Sequence, residues 1–340
     1  KLPSIIEIKK AIPAHCFESN TLRSIYSLVK DFVIVGLLCL LVEGTWMKSF
    51  TDVLFISPQF VITPMYWFVQ GTLFVAIFII GHDTGHSSFS KHEIVNTIFG
   101  NICHTFLFCP YYMWKISHRK HHMHTCNMDR DRVFYPVRKK DRVDGLPLIK
   151  GFALGFGWFA YLIQGYKPRG VSHFNPLDPL FRHHVANCII SLVCLFLWSM
   201  CLARLQEAFG LGALVYHWGV PTFVFASYMV IITFLQHTEE NTPWYSDDVW
   251  ENLRGQLSTV DRHYGWCHEI IHSIGTHQIH HLFPKVPYYH LEEATVAFRK
   301  AFPELVNVSV EPIIPAFLRM FQKYATQNVV ENNTQVHIYK

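Results

Sequence analysis

Hydrophobic positions in this chain come in long uninterrupted runs, without the period-2 alternation of a half-buried strand or the three-and-four spacing of a surface helix. Residues 185–203 and 211–235 contain no Asp, Glu, Lys or Arg, and about 20 consecutive apolar residues cross the hydrocarbon core of a bilayer as a helix. The intervening RLQEAFG, residues 204–210, predicts a tight turn that folds the two runs into a hairpin. Upstream, residues 32–46 and 61–80 predict a second hairpin, although Glu43 interrupts the first run and Pro58 and Pro64 lie near the start of the second. The pattern predicts an all-α integral membrane protein with four transmembrane helices in two hairpins, at about 32–46, 61–80, 185–203 and 211–235.

Composition supports the membrane class: half the residues are hydrophobic, 16% are charged, and mean hydropathy is positive. A net charge of +4 without a long basic run gives no footprint for nucleic acid. The nine cysteines are an odd number with no CxxC pair, and Cys39, Cys188, Cys194 and Cys201 fall in apolar segments. They read as reduced thiols rather than a disulfide framework or zinc ribbon. The chain begins at Lys1, so an N-terminal piece is expected to be missing.

Three histidine clusters break the apolar pattern: GHDTGH with His82 and His86, SHRKHH with His118, His121 and His122, and THQIHH with His277, His280 and His281. They follow span two, lie between spans two and three, and follow span four, so four spans put all three on one side. Residues 115–150 hold ten Lys or Arg against four Asp, which places that side in the cytosol by the positive-inside bias. The apolar stretches 98–114 and 146–165 then cannot cross singly and are expected in the interface plane or as re-entrant segments. The regions 81–184 and 236–340 would together form a cytosolic helical cap.

On a helix, positions i, i+3 and i+4 share one side, so each triplet could converge on a point, with His82 and His86 as an i, i+4 pair. Eight neutral imidazoles exceed what one four-coordinate zinc takes, which indicates two metals. His237, in TFLQHTEE at the end of the fourth span, is a ninth candidate. A membrane zinc hydrolase would use three ligands and leave five clustered histidines unexplained, and a transporter would carry its polar groups within the spans.

HDTGH, HRKHH and HQIHH, in this order and spacing, resemble the three histidine boxes of the membrane fatty-acid desaturases. AIPAHCFE, TPWYSDDVWENLRGQLSTVDRHYG and IGTHQIHHLFPKVPYYHLEEAT resemble the methyl-end acyl desaturases, the omega-3 and delta-12 group. The similar segments run from about residue 2 to 302, consistent with a single membrane desaturase domain over 1–340. The resemblance implies a cap holding a non-haem di-iron centre that uses O2 and two electrons to remove two hydrogens from adjacent methylenes. It implies as iron ligands His82, His86, His118, His121, His122, His277, His280 and His281, with His237 as the ninth. His272, five residues before the third box, would be a further ligand or an orienting group, and Asp83 and Asp261 would orient imidazoles. It also implies a fatty acyl lipid or acyl-CoA substrate and electrons from cytochrome b5 and its NADH reductase. The basic residues 115–140 would dock that donor.

The setting implied is the endoplasmic reticulum membrane, and the closing HIYK has the look of a retrieval tail. The sequons at Asn307 and Asn332 would face the cytosol and stay unmodified. The third-box segment is closer to the omega-3 branch, so the expected reaction is omega-3 desaturation of omega-6 polyunsaturated acids. A delta-12 desaturase acting on oleate, or a hydroxylase, epoxygenase or acetylenase on the same scaffold, stays open, because placement of the acyl chain sets the outcome. Thr84 departs from the pattern, since Cys is frequent at the middle of the first box. Tyr111, Tyr112, Trp114, Trp158 and Trp244 could line an acyl channel, but the interfacial aromatic belt is their more expected place.

Overall fold

The structure, a computed structural model, describes residues 2–44, 59–142 and 152–340. The end of the first predicted span, Pro58 and part of the apolar stretch 146–165 lie outside the described residues. Among the described residues three helical stretches are long and apolar enough to cross a membrane: Thr21–Glu43, Phe60–Gly85 and Val185–His237.

A short helix, α1 (Ile5–Ala11), precedes α2 (Thr21–Glu43). α2 begins well before residue 32 because Asn20 caps it, its side chain accepting the Arg23 N–H at 3.0 Å. Asp31, one residue before the expected start of the span, is buried and bonded to His272 Nε2 at 2.7 Å. α3 (Gln59–Gly85) runs to the end of the first box, so His82 stands in its last turn. It is the central helix, packed against α2 and two helices described below, and every residue from 73 to 84 is buried.

α4 (Glu93–Phe106) and α5 (Tyr111–Met123) form a V that descends beside α3 and returns. Phe106 meets Phe74 at 4.9 Å between ring centroids, two turns below His82, and His118 comes back to 4.8 Å from His82. The stretch thus returns to the end of α3 from which it set out. Glycine is needed at position 100, where a Cβ would lie 2.2 Å from Tyr111 Cζ, so a side chain there would pry the arms of the V apart.

α6 (Phe156–Gln164) lies against α8 (Val220–His237), which α7 (Val185–Leu214) and a π turn at Val215–Gly219 precede. The turn predicted at 204–210 is helical through Phe209, and the break comes at Gly210, at φ 85°. That left-handed conformation costs a side chain but not glycine. The chain reverses there: Trp198 and Trp218 are 6.5 Å apart, where twenty residues of unbroken helix would span about 30 Å. α2 and α7 leave Leu37, Leu40, Leu41, Phe196 and Leu197 exposed, an apolar surface that a bilayer would cover.

Beyond α8 come α9 (Asn252–Leu257), α10 (His277–Leu282), α11 (Tyr288–Ala301) and α12 (Ile313–Gln327). The short strands β1 (Val137–Arg138), β2 (Pro243–Tyr245) and β3 (Asp261–Arg262) pair with β5 (Val329–Val330), β6 (Val336–Ile338) and β4 (Val308–Ser309). These pairings tie the C-terminal residues into the cap. The retrieval-tail reading of HIYK therefore fails: His337 pairs with Trp244 and Tyr339 is fully buried. All nine cysteines are free, as expected.

Candidate metal centre

Four elements bring nine histidines together: the end of α3 supplies His82 and, just beyond it, His86; α5 supplies His118, His121 and His122; α8 ends on His237; and α10 carries His277, His280 and His281. The triplets do not each converge on one point. His82, His86, His118, His122 and His280 form one group whose donor nitrogens all lie within 4.8 Å of one another, and His121, His237 and His281 form a second. His277 joins the second through its Nε2, 3.1 Å from His237 Nε2.

Helix geometry explains the split. Residues i and i+4 differ by only about 40° around the axis, whereas i+3 and i+4 differ by about 100°. On α5 the i, i+4 pair His118 and His122 goes to the first group and His121 turns to the second. On α10 the pair His277 and His281 goes to the second group and His280 turns to the first. Each triplet thus serves both groups.

The donor set fits bound metal. His121 Nε2 and His237 Nε2 are 3.1 Å apart, as are His118 and His122 Nε2, and His280 Nε2 lies 3.2 Å from His122 Nε2. Imidazoles on one cation at about 2.1 Å and near right angles place their nitrogens about 3 Å apart. Among the described residues His86 Nε2, His281 Nε2 and His82 Nδ1 are buried without a hydrogen-bond partner. Burial first, and neighbouring imidazoles second, push His118, His122, His277, His280 and His281 well below the usual histidine range. The neutral ring is the metal-binding form.

Ring orientation is held from behind. Asp131, fully buried, bonds His121 Nδ1 at 2.7 Å and so aims Nε2 at the second group. His281 Nδ1 meets Thr125 Oγ1 and Gln256 Oε1, each at 3.0 Å. The sequence reading missed all three; Asp131, ten residues past His121 in a segment that reads as basic, was the only visible signal. Of the expected orienting groups, Asp83 Oδ1 lies 3.6 Å from His82 Nδ1 while its Oδ2 accepts the Tyr288 N–H at 2.9 Å. Asp261 acts on the backbone rather than on a ring: its oxygens accept the Gln278 N–H in the first turn of α10 and Arg299, each at 2.8 Å. His272 is turned toward Asp31, its ring tilted against Tyr288 at 4.2 Å between centroids. Thr84 bonds the Gly81 carbonyl and Tyr111, and lies in neither histidine group.

The interfacial-belt reading is overturned for Tyr111, Trp114, Trp158 and Trp244, which are all buried. Trp114 and Trp158 instead line a cleft whose walls also carry Phe78, Phe134, Met229 and Ile232. His82, His118, His121 and His277 stand along it, so the cleft reaches both histidine groups. The basic segment is largely self-neutralised: Lys115 pairs with Glu93, Arg130 with Asp247, Arg138 with Asp129 and Lys139 with Glu331. Arg119 and Lys120, on α5, remain exposed.

Residues 58–310 match the family model for fatty acid desaturases. The chain is 36% identical to the sn-1 acyl-lipid omega-3 desaturase (ferredoxin) of Nostoc sp. (strain 36), covering 92% of this chain and 85% of that protein. It is 36% identical to an omega-3 fatty acid desaturase, endoplasmic reticulum, of Nicotiana tabacum, over 86% of this chain and 76% of the relative. It is also 33% identical to a Delta(12) acyl-lipid conjugase (11E,13E-forming) of Impatiens balsamina, over 99% and 91% respectively. With nine converging histidines beside an apolar cleft and a family match over most of its length, the chain belongs to the fatty acid desaturases.

Proposed function

We propose that this protein is an omega-3 desaturase that inserts a cis double bond on the methyl side of an existing one in omega-6 polyunsaturated acyl chains. The observation that carries the chemistry is the meeting of two all-histidine groups, five rings and four, on one apolar cleft. An acyl methylene offers no acidic proton or carbonyl, so removing its hydrogens requires a strong oxidant. Two irons, held by His82, His86, His118, His122 and His280 and by His121, His237, His277 and His281, would supply that oxidising power from O2. In balance, O2, two electrons and two protons take two hydrogens from adjacent carbons and leave two waters. The residues bind and orient: Trp114, Trp158 and Phe78 pack the chain in an extended slot, and the burial of the cluster excludes bulk water.

The omega-3 names of the Nostoc and tobacco relatives favour this regiochemistry, and the conjugase relative marks how small the step to another outcome is. Yeast making no polyunsaturated acids, expressing this chain and fed linoleate or arachidonate, should yield omega-3 products located by mass spectrometry. Formation of linoleate from endogenous oleate, with fed linoleate unchanged, would establish delta-12 action instead.

For topology we assign four spans in two hairpins, α2 with α3 and α7 with α8, supported by the reversal at Gly210. The histidine cap then faces the cytosol from the endoplasmic reticulum, the location in the tobacco relative's name. Reporters fused after Lys140 and after Lys340 should both read as cytosolic; opposite sides would break the four-span arrangement. Cytochrome b5 with its NADH reductase is the donor we assign, although the cyanobacterial relatives are named for ferredoxin. Reconstitution with each donor in turn distinguishes them.

A further inference from the structure

Apart from the nine histidines, a second set of metal-binding side chains joins the N-terminal segment to α11. The 3₁₀ turn Ala14–Phe17 carries His15 and Cys16, and α11 carries His290 and Glu293. One ligand atom from each lies within 4.8 Å of all the others. His15 Nε2 is 2.9 Å from Glu293 Oε2 and 3.8 Å from Cys16 Sγ, and His290 Nδ1 is 3.7 Å from Glu293 Oε2.

We propose that His15, Cys16, His290 and Glu293 form a structural zinc site, separate from the catalytic metals, that clamps the N-terminal segment onto α11. Zinc bonds of about 2.3 Å to sulfur and about 2.0–2.1 Å to nitrogen or oxygen make tetrahedron edges of about 3.3–3.6 Å. The observed separations bracket that range. The donor types also fit: one thiolate, two imidazoles and one carboxylate are zinc ligands, and the thiolate disfavours magnesium or calcium. On ligation Cys16 releases its thiol proton to solvent, and thiolate plus carboxylate then neutralise the divalent charge.

The fold gives such a clamp something to hold. Cys16 is fully buried, in an apolar cluster that includes Ile279 and Leu282 of the third-box helix α10. His15 and Glu293 are each about half exposed, which leaves an entry path for the ion. At the end of the turn and just past it, Phe17 packs on Phe283 at 5.4 Å and the Asn20 N–H bonds Tyr289 at 2.6 Å.

The test uses full-length enzyme, wild type and the variants Cys16→Ser and Glu293→Gln, purified after growth with added iron and zinc. Metal analysis should find one zinc per wild-type chain besides iron, and the variants should lose that zinc while keeping wild-type iron. Equal zinc in wild type and variants, or none in the wild type, overturns the proposal. If the variants do not accumulate, titration of zinc-free wild type with Co2+ decides. A thiolate-to-cobalt charge-transfer band with tetrahedral d–d absorption supports the site, because no other described cysteine belongs to a metal-binding group. Absence of that band overturns it.

Discussion

Alanine in place of His237 is expected to abolish desaturation and to lower bound iron from two toward one per chain, with membrane insertion unchanged. His237 lies outside the three boxes, yet its Nε2 stands 3.1 Å from both His121 and His277. Its removal leaves the second group with three imidazoles, and no further histidine of the described residues belongs to either group. The first group, anchored on α3, α5 and α10, keeps all five of its rings. Iron content of purified protein and product formation in cells measure the effect. His124→Ala is the control: His124 follows α5 directly, but its Nδ1 lies against the Lys120 carbonyl at 3.0 Å and it belongs to neither group. That variant should keep near wild-type activity. Wild-type iron and activity in His237→Ala would remove the second group as a metal site.

Asp131→Asn is expected to keep the protein folded while weakening iron binding by about 10–100-fold, the usual consequence of losing a partner behind a metal-bound histidine. The wild-type carboxylate is fully buried and accepts the backbone N–H groups of Cys126 at 3.1 Å, Arg132 at 2.6 Å and Val133 at 3.2 Å as well as the His121 ring. An amide retains one acceptor oxygen but turns two N–H donors toward groups that are donors themselves. One interaction must then be lost, at about 1–3 kcal/mol for each buried polar atom left unpaired. Iron titration under limiting iron should show lower occupancy, and added iron should restore part of the activity. Occupancy equal to wild type at limiting iron would show that Asp131 serves only the backbone turn. Asp131→Ala should be worse, because it also leaves the three N–H groups without an acceptor.

The clustered histidines themselves were legible in the sequence. The box histidines stand at helical spacings, and His237 ends an uncharged run, so each could be named without coordinates. The long apolar stretches were legible too, because a bilayer constrains composition over tens of residues and the signal accumulates along the chain. Contacts between distant segments had no such signal. Spacing along one helix says which rings share a face, but the division of α5 and α10 between two groups depends on where α3 and α8 stand. Asp131 could be recognised only when its loop folded back under His121. Nothing in the sequence marked Asp31 as the buried partner of His272, 241 positions away. Trp114 and Trp158 have a composition suited to an interface, and only packing around the cleft put them inside. Sequence by itself thus determined the class of protein and the histidines that cluster, because lipid burial and helix periodicity act along the chain. The partition of the histidines into two groups, the partners that aim them and the cleft beside them were decided by tertiary structure, because each depends on segments far apart in the chain meeting at distances of a few ångströms.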